Sequence, residues 1–373
     1  MSQAGSAGVG TLILRCSDRE PSALDLTLTP LQPYLQDATV TELCINRPGG
    51  VFLERGGGWC YEPLAVLDYP WCRRFAKLVA NFSSQRVDES SPLLSGFLPG
   101  GQRVQLALPP ACPAGSVAIC IRRPAAQGWT IEELVARGVF AGTQRATQGC
   151  LALETQLLQQ LAHGQLETFM RTAVRGRLNM LVSGPTGSGK TTWTRALIRE
   201  IPVEERLITI EDTPELSLEL HPNHVRLLYS KDDQGRSRVT ARQLLEACLR
   251  MRPDRILLAE LRGEEAFDYL RNANSGHPGS ITSVHATSAE LAFEQLVLLV
   301  KLSAAGRALS REDIKELLYR VVDVVIQFDA RHGQRYIREI WYEPARKRCG
   351  LGAGATATAT VAATGSDAAA NGP

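Results

Sequence analysis

The chain carries 373 residues, 44% hydrophobic and 21% charged, and its 41 Lys and Arg against 39 Asp and Glu leave a formal net charge of +2. That is enough apolar material for two or three globular domains, and the near-balance of charge gives no global drive toward nucleic acid. No apolar run reaches the roughly 18 residues of a membrane span, and Met1 to Leu14 lacks the basic start and long apolar stretch of a secretory signal, so a cytosolic location is expected.

Residues 12–125 read as strands and hairpins with little helix. Thr41 to Ile45 alternates, Asn46-Arg47-Pro48-Gly49-Gly50 turns, and Val51 to Glu54 continues toward Gly56-Gly57-Gly58 and Trp59-Cys60-Tyr61. A helix is expected over Pro70 to Asn81, then a hairpin from Leu94 to Leu108 around Pro99-Gly100-Gly101, and a strand over Ser116 to Arg122. Together these predict a small α+β domain. Residues 126–150 read as a linker with a short helix near Ile131 to Arg137.

From 151 to 347 the pattern changes. Two helices, near Leu151 to His163 and Gln165 to Val174, are followed by alternating strand-like and helical runs, with strands expected at Leu207–Ile210, Val225–Leu228, Ile256–Ala259, Ser280–Val284 and Val321–Phe328. Such alternation predicts an α/β domain with a mostly parallel sheet, helices on both faces and ligands at the carboxyl ends of the strands. Residues 348–373, rich in Ala, Gly and Thr, lack the large apolar groups needed to pack and are expected to be disordered. The nine cysteines form no Cys-x-x-Cys pair, which predicts reduced thiols rather than a zinc site.

The densest signal follows the apolar run Leu178 to Ser183. Gly184-Pro185-Thr186-Gly187-Ser188-Gly189-Lys190-Thr191, opening a helix through Thr192, is a phosphate-binding loop between a strand and a helix. Glycines let successive backbone N–H groups converge on phosphate oxygens at the positive end of the helix. Lys190 adds a charge for the β and γ phosphates of ATP, and Thr191 offers its hydroxyl to Mg²⁺.

Two carboxylate positions follow. Glu211-Asp212-Thr213-Pro214-Glu215 ends one core strand, and Glu260, before Arg262-Gly263, ends another. A carboxylate at such a place orients water or a metal, although a helix cap or a paired structural acid uses the same residues. Downstream, Gly276-His277-Pro278-Gly279-Ser280-Ile281-Thr282-Ser283-Val284-His285-Ala286 is a strand flanked by two histidines, either of which can meet a phosphate or simply pack.

Ile210 to Thr213, Arg252 to Gly263 and Gly276 to Ala286 resemble the Asp box, Walker B and His box of the ATPase superfamily that powers type II and type IV secretion and type IV pili. Their wording is similar to the VirB-eleven branch of type IV secretion systems. Ile45 to Gly49, Leu98 to Val104 and Ile121 to Pro124 extend the resemblance over residues 20–345.

The resemblance implies a RecA-like carboxy-terminal domain and a homo-hexameric ring that hydrolyses ATP with Mg²⁺. The ring would drive substrate transfer, DNA transfer included, or pilus assembly, beside other secretion components at the inner face of the inner membrane. It implies that the small domain covers the nucleotide and brings Arg103 and Arg122 to its terminal phosphate. His285 would sense loss of the γ-phosphate, and Glu260 and Glu211 compete for the role of activating water. A pilus retraction motor and a non-hydrolysing nucleotide-dependent scaffold remain alternatives; sequence-specific nucleic-acid binding is not expected.

Overall fold

The computed structural model describes residues 20–124, 128–143, 152–230, 237–331 and 333–348. Its first elements are helical where the sequence suggested none: α1 (Ala23–Thr27), a 3₁₀ turn over Thr29–Leu31, and α2 (Gln32–Gln36). Ser22 and Asp25 close a capping box on α1, and Leu24, Leu28, Leu31 and Leu35 point into the core. Their spacing of three to four is a helical stripe, short enough to be missed.

A six-stranded sheet follows, all of its pairs antiparallel: β1 (Val40–Ile45), β2 (Gly50–Arg55), β3 (Gly58–Pro63), α3 (Tyr69–Phe82), β4 (Leu93–Phe97), β5 (Arg103–Ala107) and β6 (Ala118–Arg122), in the order β3-β2-β1-β6-β5-β4. Asp68 caps α3 by accepting from the backbone N–H of Trp71 at 2.7 Å, with Pro70 in the first turn. Both faces of the sheet are covered. Leu43, Ile45, Leu53, Leu106 and Ile119 pack with the helices, whereas Cys44, Phe52, Ala107, Ala118 and Cys120 belong to a core shared with the rest of the chain. Alternation sends odd and even positions to opposite faces, and the small residues on the second face allow close approach.

The short helix α4 (Ile131–Ala136) appears where expected, with a Thr130–Glu133 capping box. Both ends of the linker, residues 125–127 and 144–151, and the tail beyond residue 348 lie outside the described residues. Next come α5 (Ala152–Ala162), α6 (Leu166–Arg175), β7 (Met180–Ser183), α7 (Lys190–Ile198), β8 (Leu207–Glu211), β9 (His224–Leu228), α8 (Ala241–Cys248), β10 (Arg255–Leu258), α9 (Glu265–Ala273), β11 (Ile281–Val284), α10 (Ala289–Leu302), α11 (Ala304–Arg307), α12 (Arg311–Val321), β12 (Val324–Arg331), β13 (Gln334–Trp341) and α13 (Pro344–Arg348).

The strands form two sheets, β10-β8-β9 and β11-β7-β12-β13. Every pair is parallel except β12 with β13. The sheets adjoin where the backbone N–H of Leu261 and the hydroxyl of Ser283 reach across to Ser283 and Ala259 carbonyls, each at 2.9 Å. The fold is therefore mixed α/β, as expected. The sequence reading missed β13, whose exposed polar positions obscure the alternation. No described helix is long and apolar enough to cross a membrane.

At the amino ends of β8 and β10 stand two arginines of 0% exposure, Arg206 and Arg255. Arg255 holds Glu205 by two bonds of 2.7 and 3.0 Å and donates to the Val174 carbonyl at 2.8 Å. Burial pushes the Glu205 carboxyl up, but the Arg255 and Arg177 guanidiniums outweigh it and hold the group below its ordinary value. Such a depressed carboxylate stabilises the fold above its unfolded pKa, and the contribution is lost as pH falls through the folded value. Glu205→Ala strands the Arg255 charge and is expected to cost about 3–5 kcal/mol in urea unfolding at neutral pH, with the difference from wild type shrinking in acid. A cost that stays constant down to the acid limit would mean packing, not the ion pair, is what was lost.

Candidate functional site

The phosphate loop leaves the carboxyl end of β7, in the middle of its sheet, and enters α7 directly. A Cβ on Gly184 would come within 2.9 Å of the Phe328 Cβ and 3.0 Å of its carbonyl on β12, so the loop is wedged where no side chain fits. Gly189, at φ 99°, occupies the N-cap of α7 in a backbone region that L-residues avoid. Pro185, Thr186 and Gly187 form the exposed tip, followed by the buried Ser188, whose Oγ has no hydrogen-bond partner. Thr192 is exposed on the first turn of α7.

Lys190 is 8% exposed. Its Nζ donates to the carbonyls of Gly184 at 2.7 Å and Pro185 at 3.0 Å and lies 3.3 Å from His285 Nδ1. Burial pushes this ammonium down while the nearby Glu260 carboxylate opposes the shift. A lysine ammonium has no lone pair, so Nδ1 must accept and the His285 proton sits on Nε2. Nε2 faces Glu260 Oε1 at 2.8 Å. The pair is close without the alignment of a hydrogen bond, and Oε1 retains no aligned donor. Glu260 Oε2 is held by Arg262, which also reaches Asp212 Oδ2 at 3.1 Å. Three segments far apart in sequence thus converge as Lys190, His285 and Glu260. Buried Gln327, in the middle of β12, donates to the Ala286 carbonyl at 3.1 Å and ties the His285 loop to that strand.

The two carboxylates that the sequence left in competition are in different situations. Glu211 is 0% exposed. Its Oε2 accepts the backbone N–H groups of Glu215 at 2.7 Å and Leu216 at 2.9 Å, and its Oε1 accepts from the Thr209 hydroxyl at 2.7 Å. It is committed to shaping the loop that presents Glu215, whose Oε2 accepts from Thr191 at 3.3 Å. Glu260 instead stands partly open beside Lys190.

Arg103 and Arg122 are not brought to the phosphate loop of their own chain. They face each other across β5 and β6, and both are exposed. Arg122 pairs with Glu42 at 3.5 Å and lines a cavity of about 370 Å³ with Arg177, Arg252, Asp254 and His277. Arg177 precedes β7, Arg252 and Asp254 precede β10, and His277 precedes β11, all on the edge opposite the loop. The amino-terminal sheet packs beside β9 and the amino ends of β8 and β10, where Asn46 and Arg206 meet Asn223. The other histidine, His277, belongs to that remote cavity too.

Arg262 and Gln327 received no role from the sequence, and Glu215 only that of one carboxylate in the cluster that starts at Glu211. Of the first two, Gln327 alone left a signal, as the polar interruption of the apolar run Val324 to Phe328. Glu211→Ala removes the acceptor of the buried Leu216 N–H and is expected to cost about 1–3 kcal/mol in urea unfolding. Unchanged stability would overturn the structural assignment of this carboxylate.

Comparison with known proteins accords with these segments. The family model of type II/IV secretion system proteins matches residues 26–327. The chain is 44% identical over 335 residues to the type IV secretion system protein VirB11 of Brucella suis, covering 88% of this chain and 93% of that protein. It is 42% identical over 331 residues to protein VirB11 of Agrobacterium fabrum, covering 88% and 95%. The crystal structure of the VirB11 ATPase from the Brucella suis type IV secretion system, in complex with sulphate, superposes with a TM-score of 0.83 at 45% identity, covering 88% of this chain and 99% of that one. The chain belongs to the type II/IV secretion system protein family, on its VirB11 branch.

Proposed function

We propose that this protein is an ATPase that powers a type IV secretion system, working as a ring of six copies at the inner face of the inner membrane. The observation that carries the reading is the contact of His285 with both Lys190 and Glu260 beside a phosphate loop. Phosphoryl transfer asks little covalent chemistry of a protein and is accelerated by positioning and charge neutralisation. Lys190 supplies positive charge for the β and γ phosphates, and the N–H groups opening α7 supply the dipole. Glu260 accepts a proton from the attacking water. His285, touching both, registers the charge that leaves with the γ-phosphate.

Among the described residues no cluster of three or more His, Cys, Asp or Glu is arranged to hold a metal ion alone. Mg²⁺ binds through few protein groups together with substrate phosphates. The Thr191 hydroxyl would hold it, and when bound it would neutralise charge between the phosphates.

Arg103 and Arg122 lie away from their own loop, and in a ring they would serve the nucleotide of an adjoining copy. The amino-terminal domain, residues 12–125 on this reading, would then couple hydrolysis in one subunit to motion in the next.

Lys190→Ala is expected to abolish turnover. Glu260→Gln should keep nucleotide binding and lower turnover by about 10²–10⁴-fold, the usual share of a general base; turnover within a few-fold of wild type would remove Glu260 from the chemistry. Mixing inactive Lys190→Ala with the inactive double variant Arg103→Ala, Arg122→Ala should restore roughly a quarter of wild-type turnover if sites are shared between copies in a closed ring. No recovery in mixed rings would place the arginines within their own chain's site.

A further inference from the structure

The contact between the amino-terminal sheet and the rest of the chain contains a group for which the hydrolysis above has no use. Cys44 on β1 and Cys120 on β6 are direct cross-strand partners, 0% and 1% exposed, with the Cys44 thiol donating to Cys120 Sγ at 3.5 Å. Arg206 reaches the same sulfur, its Nη2 donating at 3.2 Å. The other acceptors around this guanidinium are neutral: the Met251 carbonyl at 3.0 Å, Asn46 Oδ1 at 2.8 Å, and Asn223 Oδ1. The Trp59 ring lies 5.5 Å away.

A guanidinium does not lose its proton on burial, and a fully buried one needs a counter-charge. Among the described residues, the Cys120 sulfur is the only ionisable acceptor that the Arg206 guanidinium bonds, although the backbone N–H of Arg206 meets Asp254 Oδ2 at 2.7 Å and the Glu42 carboxyl acts on the charge from farther off. Cys44's hydrogen bond and the Arg206 charge both pull the Cys120 thiol down, against burial, which pushes it up; Cys44 itself is pushed up. One sulfur is thus prepared as the thiolate and the other, beside it, as a thiol. Nucleophile and resolving group of a dithiol oxidation need that division. As a thiol Cys120 donates to the Met251 carbonyl at 3.6 Å; as a thiolate it gives up that bond, and the carbonyl keeps the Arg206 Nε–H at 3.0 Å.

We propose that Cys44 and Cys120 form a peroxide-sensitive pair whose oxidation to a disulfide releases the amino-terminal sheet from the carboxy-terminal part of the chain. In the first step the Cys120 thiolate attacks one peroxide oxygen. The O–O bond breaks, hydroxide leaves and takes a proton to become water, and Cys120 becomes a sulfenic acid. Cys44 sulfur then attacks Cys120 sulfur, the S–O bond breaks, and the departing hydroxyl carries off the Cys44 proton as a second water. The two sulfurs lose two electrons to one peroxide, which is reduced to two waters. The sulfurs are adjacent already, so a small approach closes the bond.

The consequence follows from charge. A disulfide is neutral, so the Arg206 guanidinium loses the one ionisable partner it bonds among the described residues while remaining out of water. The favourable response is for the contact to open and hydrate the guanidinium, and Arg206 is one of the groups that join the two parts, linking Asn46 to Asn223 and Met251 beside the direct Asn46–Asn223 and Arg252–Glu54 bonds. Peroxide reaches the buried pair during transient openings of the same contact.

The test uses the full chain, reduced and then treated with hydrogen peroxide. Peptide mapping without reduction should find a Cys44–Cys120 cross-link and loss of both thiols, reversed by dithiothreitol. Hydrogen exchange should lose protection over Leu207 to Glu211 and Ala241 to Met251, regaining it on reduction. In Cys44→Ser, oxidation should stop at a Cys120 sulfenic acid that a dimedone probe captures. Modification of half-buried Cys60, or a Cys120–Cys248 cross-link, with Cys44 still free would overturn the proposal. So would a Cys44–Cys120 cross-link that leaves protection unchanged.

Discussion

Everything in the carboxy-terminal part is arranged around the need to satisfy two guanidiniums taken wholly out of water. Arg206 and Arg255 sit where β8 and β10 begin, and neither keeps any exposure. Burying such a charge is costly unless carbonyls and anions surround it. Arg255 meets this with Glu205 and main-chain carbonyls, and Arg206 with two asparagines, a carbonyl and a sulfur. The first set joins the end of α6, the start of β10 and the turn before β11. The second reaches into the amino-terminal sheet. One edge of the parallel strands is thereby committed to holding the molecule together.

The opposite edge is where chemistry is possible. Parallel strands deliver all their carboxyl ends to one side, and there Lys190, His285 and Glu260 meet from β7, β11 and β10 without being adjacent in sequence. Glu211 ends β8 on that same edge yet is spent on two backbone N–H groups and a hydroxyl. A carboxylate at a strand end is therefore not a base by position alone; the number of donors already on its oxygens decides. The same accounting separates His285, bridging two charged groups, from His277, which faces a remote cavity.

The amino-terminal sheet is buried on both faces for different reasons. One face carries Leu, Ile and Val against α1 to α3 and forms an ordinary core. The other is lined by Cys and Ala around Phe52 and lies against β8, β9 and α8. Small side chains bring the backbones close, so the polar groups that cross the contact, Asn46, Glu54, Arg206 and Arg252, bond directly. The same contact is continuous with the apolar core of β8, β9 and α8, and the buried charge of Arg206 within it makes it responsive to the loss of a bonded anion.

Local chemistry was legible in the sequence. A glycine-rich turn between an apolar strand and a helix reads as a phosphate loop because backbone geometry there is set by neighbours in the chain, and the strands at Leu207, Ile256 and Ser280 read as strands from their apolar runs. Resemblance across Ile210 to Thr213, Arg252 to Gly263 and Gly276 to Ala286 carried the family. The placement of the amino-terminal sheet, the position of Arg103 and Arg122 away from their own loop, the commitment of Glu211 and the pairing of Cys44 with Cys120 were decided only by tertiary structure. Each depends on which distant donors and surfaces arrive beside a residue, and alternation within a strand says which positions share a face but not what that face will meet.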